Sequence, residues 1–304
     1  MPRPKPLPPA LAEAPFAVST AASTGVSRAR LRASDLNAPF HGVRVTARPS
    51  DLRSLAHACV PRLLPGQVFS HSTAAFLLGM RLPDGFHDET LHVTSVAPTR
   101  ASRAAGITGH QAARADVIVT VEGLPVTAPL ETWCQLSAVF SLEDLIVAGD
   151  GLVRRIRPQA SLAQVRAAAS QFNGRGARRL RSAAAEVRSG TDSARETKLR
   201  RFVVLAGFPE PEVNGVIMNS YGAQIAHGDL VFRAQRTILE YDGGQHRTSD
   251  TQFSIDIDRL DALMEDRWRV IRVDKYLMAR RATLLGKIDT ALRQGGWNPD
   301  HRAR

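Results

Sequence analysis

The sequence predicts an α/β protein, with a C-terminal mixed sheet flanked by helices and a smaller mixed α/β region before it. Three observations predict this. Hydrophobic residues make up 43% of the chain, a globular rather than a disordered composition. Between residues 50 and 150, short β-branched runs alternate with stretches of helical period. From Ser193 onward the pattern becomes helix, three strands, helix, strand, helix, the order of one sheet with covering helices.

The elements follow in order. Residues 1–24 are rich in Pro and Ala without period and read as a disordered tail. Leu7 to Ala22 is broken by prolines and polar residues, which speaks against a signal peptide. Ser27 to Ser34 reads as a short helix and His41 to Thr46 as a short strand, the remnant that a degenerate winged helix would leave. Ser50-Asp51 caps a helix that runs to Cys59. Val68 to Gly79 reads as a strand and then a helix, with Ser72 or Thr73 near its start. Leu91 and Val93 alternate in a strand from Thr90 to Val96. Val117–Val121 and Leu124–Val126 flank a turn at Gly123. Thr127 caps a helix to Val139, with Pro129 in its first turn. Ser141 to Ala148 is a further helix, and Gly149-Asp150-Gly151 a turn that closes the region 25–152.

Residues 153–190 read as a basic helical linker. The chain carries a net charge of +11, and a basic surface attracts polyanions, nucleic acid above all. The excess is local. From Arg154 to Arg201 there are thirteen Arg or Lys against Glu186, Asp192 and Glu196. Arg175, Arg178, Arg179 and Arg181 are the candidate phosphate contacts. A solvated helix face explains the same arginines without DNA.

The last region, 191–295, begins with an amphipathic helix from Ser193 to Ala206, ended at Gly207. Val213–Met218, Ala223–Phe232 and Thr237–Asp242 are strands, Asp250–Asp266 a helix, Trp268–Val273 a fourth strand and Leu277–Arg293 a closing helix. Residues 296–304 are a tail. If the second and third strands form a hairpin through the loop Arg233-Ala234-Gln235-Arg236, Phe232 faces Thr237 and Asp229 faces Glu240. Opposed residues share a face, about 4.5–5.5 Å apart at Cβ. Two carboxylates that close repel each other in a dry site. A divalent cation removes that cost, and Mg²⁺ takes one or two carboxylates with waters and phosphate oxygens. Asp242 lies two residues beyond Glu240 and points to the same face if the strand continues. Gly243-Gly244 ends the strand, and His246 follows.

The run from Ile238 through Glu240, Asp242 and Gly243-Gly244 to His246 resembles the core motif of the Vsr-like branch of the PD-(D/E)XK endonucleases. So does Gly228-Asp229-Leu230 before it. Ser193-Ala194-Arg195-Glu196 resembles the acid-bearing first helix of that family. Asp256-Ile257-Asp258-Arg259 and Trp268 to Val273 resemble its later helix and fourth strand. The likeness spans about a hundred residues and implies a restriction-endonuclease-like fold. It implies that Asp229 and Glu240 bind Mg²⁺, or Mn²⁺ in its place, with the backbone carbonyl beside Glu240 as a further ligand. Glu196 would approach the same metal, and His246 would serve as a general base or leaving-group partner. Asp256 and Arg259 would support the site. The implied reaction is metal-assisted hydrolysis of a DNA phosphodiester. The chain departs from the family pattern at Asp242, where a lysine is usual, and at Asp266-Arg267, where many relatives have Gly before the Trp. Several of these residues also have plain structural readings. Ser193 and Glu196 form a capping box, Asp242-Gly243-Gly244 a turn, and Asp256 with Arg259 an i,i+3 ion pair.

His71-Ser72-Thr73-Ala74-Ala75 through Gly79, and Gly123 to Thr132, resemble the central part of AbiEi-like antitoxins. That likeness implies a DNA- or partner-binding region ahead of the nuclease. Three function classes follow: a DNA endonuclease, a DNA-binding regulator that keeps the nuclease fold without cutting, and an antitoxin acting through a protein partner. The two cysteines, Cys59 and Cys134, exclude a disulfide framework and a four-cysteine zinc site. No apolar run approaches the length of a membrane span, and a cytoplasmic protein is expected.

Overall fold

Strands and helices alternate as the sequence period requires, and the fold is mixed α/β. The computed structural model describes residues 4–86, 88, 90–113, 117–242 and 250–301, with backbone alone for 250–256 and 301. The chain divides into two units, Met1–Leu145 with Gln164–Ser182, and Ile146–Ala163 with Ala183–Arg304.

The first unit opens with α1 (Pro9–Ala12), β1 (Phe16–Ala17), α2 (Val18–Ser23) and β2 (Val43–Arg44). Within the expected disordered tail 1–24, the described residues 4–24 therefore carry a packed segment. Leu11, Phe16 and Ala21 bury themselves with Leu31 in a small core, and β1 pairs with β2. These four apolar residues lie too far apart to show a period, which is why composition alone misleads. The helix expected over Ser27–Ser34 is only a 3₁₀ turn at Arg30–Arg32.

Next come α3 (Leu52–Cys59), β3 (Gln67–Phe69), α4 (His71–Leu77), β4 (Leu91–Val96), β5 (Ile107–Ala112), β6 (Ile118–Val121), β7 (Leu124–Thr127) and α5 (Pro129–Leu136). Asp51 caps α3 as expected, with Ser54 completing a reciprocal box. The strands form one mixed sheet in the order β5-β4-β3-β7-β6. Phe69, Leu91, Val93, Leu124 and Val126 fill its core. Thr73 does not cap α4, since its hydroxyl accepts the His92 amide at 2.8 Å. Thr127 does not cap α5, since its hydroxyl pairs with that of Thr132.

Three helices carry the chain between the units: α6 (Leu142–Leu152), α7 (Leu162–Gln171) and α8 (Ala177–Glu186). The stretch 153–190 is thus shared between the two units and is not a free-standing linker. The turn expected at Gly149-Asp150-Gly151 is the last part of α6.

The second unit continues with α9 (Ala194–Leu205), β8 (Glu212–Met218), β9 (Gln224–Phe232), β10 (Thr237–Tyr241), α10 (Asp250–Glu265), β11 (Arg269–Val273), α11 (Lys275–Ala279) and α12 (Arg281–Gln294). The expected order is present, with the closing helix split in two at Arg280. The sheet runs β11-β10-β9-β8, antiparallel except for the parallel pair β10–β11. Alternation along β9 and β10 gives each face its own core. Leu230, Phe232 and Leu239 pack with Leu199, Val203, Leu284 and Ile288 of α9 and α12. Val231 and Ile238 pack with Leu263 of α10 and Trp268. The result is a mixed sheet between helices. Among the described residues no helix is long and apolar enough to cross a membrane.

Candidate functional site

The β9–β10 hairpin pairs Phe232 with Thr237, Val231 with Ile238 and Leu230 with Leu239. The loop is a 3₁₀ turn at Arg233–Gln235 closed by Arg236 in the left-handed region, φ 46°. The ladder stops one step before Asp229 and Glu240. There Asp229 Oδ2 accepts the Tyr241 amide at 2.8 Å, so the carboxylate takes over where backbone pairing ends. Glycine is required just before it. A Cβ at Gly228 would lie 2.6 Å from Ile238 Cγ2 and 2.9 Å from Val231 Cγ2.

Asp229 and Glu240 line one cup of about 230 Å³ with His227, Tyr241, Asp242, Arg259 and Arg272. His227 lies two residues before Asp229 on β9, the strand period that brings both to one side. Burial pushes the Asp229 carboxyl up to about 6, and the charges of Glu196 and Glu240 push the same way. The Tyr241 amide and the Arg259 guanidinium pull against them. A carboxylate crowded in this way favours a cation, and an oxygen-rich cup suits the hard ion Mg²⁺. The residues present fit such an ion: two carboxylates, with the Tyr241 backbone beside them.

Glu240 already faces one cation. Arg259 of α10 reaches it with both terminal guanidinium nitrogens, and its Nη2 also donates to the His227 carbonyl at 2.8 Å. The partner of Arg259 is therefore a strand carboxylate, and the side chain of Asp256 lies outside the described residues. Glu196 is buried, at 6% exposure. Its Oε2 accepts the Asp192 amide at 2.8 Å and Asn214 Nδ2 at 3.0 Å. Only half of the expected capping box forms. Ser193 Oγ accepts the Glu196 amide, while the Glu196 carboxylate turns to Asp192. Glu196 acts on Asp229 through its charge and does not line the cup. Asp242 is exposed at the rim. His246 and Gly243-Gly244 lie outside the described residues.

Sequence reasoning passed over Arg272, which lines the cup and also a groove of about 880 Å³ between β11 and α12. Arg269 and Lys287 line the same groove. The four arginines of the basic segment lie in the first unit and are exposed. Arg179 donates to the Phe140 carbonyl at 2.7 Å and Arg181 to the Phe172 carbonyl at 3.3 Å, so two of the four serve the fold.

No family model matches this chain, and no curated protein matches it. A solved structure similar to it is the crystal structure of the RV2827C protein from Mycobacterium tuberculosis, at 15% identity and a TM-score of 0.40. The likeness covers 69% of this chain and 86% of that one, and at that score it bears on neither fold nor site.

Proposed function

We propose that the second unit is a divalent-metal-dependent DNA endonuclease, in which Asp229 and Glu240 hold Mg²⁺ or Mn²⁺. The observation that carries this reading is the convergence of the two carboxylates on one small polar cup, with Asp229 raised to about 6 by burial and by its acidic neighbours. Bound there, the ion would lower the pKa of a water and stabilise charge developing on a phosphate. The chain's own residues supply the rest. The Tyr241 amide fixes Asp229, Asn214 and the Asp192 amide fix Glu196, and Arg272 offers a positive charge at the rim to a phosphate. The cations Arg269, Arg272 and Lys287 along β11 and α12 support a polyanionic substrate.

The test is plasmid cleavage by the full chain. Nicking with Mg²⁺ or Mn²⁺ that disappears with EDTA and in Asp229→Ala is the expected result. Intact plasmid with both metals at high protein concentration overturns the reading.

The ion pair of Arg259 with Glu240 favours a second reading. A guanidinium that neutralises Glu240 supplies what the metal would, and a DNA-binding regulator needs nothing further. DNA binding that is indifferent to Mg²⁺, without cleavage, is its signature. The third class, an antitoxin acting through a protein partner of the first unit, rests on the AbiEi-like resemblance alone.

A further inference from the structure

The first unit brings three histidines together from three elements. His71 is the first residue of α4, His92 lies on β4 and His110 on β5. One ring nitrogen of each lies within 4.8 Å of one from each of the others. Nothing in the nuclease reading uses them, and they belong to the other unit.

Each ring is oriented by a neighbour. His92 Nε2 lies 2.8 Å from Asp88 Oδ2. Asp88 is itself fixed by the Ser72 hydroxyl at 2.6 Å and the Thr90 amide at 3.2 Å. A carboxylate on one imidazole nitrogen keeps the proton there and leaves the lone pair on the other, the arrangement found behind metal-ligating histidines. That other nitrogen, His92 Nδ1, lies 2.9 Å from His110 Nε2. Two imidazole nitrogens facing each other share one proton, here that of His110 Nε2, and a cation that takes its place leaves the His110 ring protonated at Nδ1 instead. His71 Nδ1 is 3.0 Å from the Ser70 hydroxyl, which leaves its Nε2 as the ligating atom.

Two further observations point to a ligand. His71 has φ 51°, a left-handed conformation that a non-glycine residue keeps only where its surroundings hold it. Gln135 Oε1 holds it by accepting the His71 amide at 2.9 Å, and the imidazole stacks on His110 with centroids 3.6 Å apart. The second observation is Thr94, the ladder partner of His110 and two residues beyond His92 on β4. Its hydroxyl is buried with no hydrogen-bond partner among the described residues. Buried hydroxyls without a partner are rare, and a water carried on a bound ion would satisfy this one.

We propose that His71, His92 and His110 bind one Zn²⁺-type ion, through His92 Nδ1, His110 Nε2 and His71 Nε2, with Asp88 orienting His92. Three imidazoles make a borderline donor set that suits zinc and its neighbours in the first transition row and not Mg²⁺. Zinc sits about 2.0–2.1 Å from imidazole nitrogen in tetrahedral geometry, so its ligand atoms stand about 3.4 Å apart. Binding therefore opens the His92–His110 pair by about half an ångström and turns the His71 ring off its stack. The fourth position is left for water. This proposal is independent of the nuclease reading.

The experiment takes the full chain, stripped with EDTA and then titrated with Zn²⁺ by calorimetry, with bound metal counted by atomic emission after dialysis. One zinc per chain is expected, unchanged in Asp229→Ala. His92→Ala with His110→Ala should abolish it, and Asp88→Asn should weaken it by about 10–100-fold. Because such variants also disturb the fold, the ring nitrogens of the unaltered protein are followed by long-range ¹H–¹⁵N spectra. Added zinc should move the signals of three of the nine histidines. Less than equimolar zinc in excess metal, rings that do not respond, or full retention in the double variant each overturn the proposal.

Discussion

Arg259 grips Glu240 from α10 with both terminal guanidinium nitrogens, so a helix side chain stands where a divalent ion would approach the strand carboxylate. A cation entering the cup has to compete with this pair. Arg259→Met keeps the length of the side chain and removes the charge. It should tighten Mg²⁺ binding by about tenfold, a difference of about 1.4 kcal/mol, measured by calorimetry. Unchanged or weaker affinity would show that Arg259 helps to build the site instead of guarding it.

Asp229 makes folding depend on pH. Its pKa in the folded chain, about 6, lies above its ordinary 3.8. The protonated form is therefore the better tolerated one. The contribution of Asp229 is fully present below about pH 4 and is lost as pH rises through 6. In EDTA, Asp229→Asn should be more stable than the unaltered chain at pH 7.5 by about 2–3 kcal/mol and closely matched at pH 4. Urea midpoints at the two pH values decide it, and equal gains at both sink the assignment.

The second unit contains a buried ion pair. Asp150, fully buried on α6, meets Arg200 Nη2 at 3.3 Å. It also accepts the Thr197 hydroxyl at 2.9 Å and the Arg188 amide at 2.8 Å. Burial pushes the Asp150 carboxyl up, against the pull of Arg200. Arg200 Nη1 also meets the exposed Glu210 at 2.9 Å. Removing Arg200 therefore leaves Asp150 a buried charge without its counter-ion, which costs about 3–5 kcal/mol, and removing Asp150 costs less because Glu210 stays on Arg200. Arg200→Met should lower the melting temperature steeply, and Asp150→Ala should lower it less. The double replacement should cost less than the sum, and additive losses would show that the two groups act separately.

The basic residues divide by what they touch. Arg269 and Lys287 line the groove between β11 and α12, whereas Arg179 holds the Phe140 carbonyl. Arg269→Ala with Lys287→Ala should reduce the slope of log K for DNA against log salt by about 2 and leave stability unchanged. Arg179→Ala should lower stability by about 1 kcal/mol through the lost hydrogen bond. Fluorescence anisotropy across a salt series and thermal melts separate the two. An unchanged slope in the first variant would remove the groove from the DNA surface.

Much of the hairpin was legible in the sequence. A four-residue loop between two β-like runs fixes the register once strands alternate, and so Asp229 and Glu240 could be set side by side. The Arg259 contact was not legible, because a helix and a strand nineteen residues apart share no period. The end of α6 was hidden by local chemistry. Glycine on both sides of Asp150 reads as a turn, and the interior of the second unit overrides that preference by giving Asp150 three partners. β5 was missed because Ile107-Thr108-Gly109-His110-Gln111-Ala112 has no clean alternation of apolar and polar residues. The histidine cluster went with it, since His110 has no role until β5 lies beside β4. His246 and Asp256 were singled out in the sequence, but their side chains lie outside the described residues.

Asp150 lies about forty residues upstream of the point where the nuclease region reads as beginning. A chain cut at Thr191 would keep every acid of the cup and lose Asp150, the buried one of the two carboxylates that answer Arg200. The unit is therefore not portable as its C-terminal stretch. Anyone grafting it onto another protein, or comparing it with a minimal nuclease, has to carry residues 146–163 along with it, or leave the buried Arg200 with the exposed Glu210 as its counter-ion.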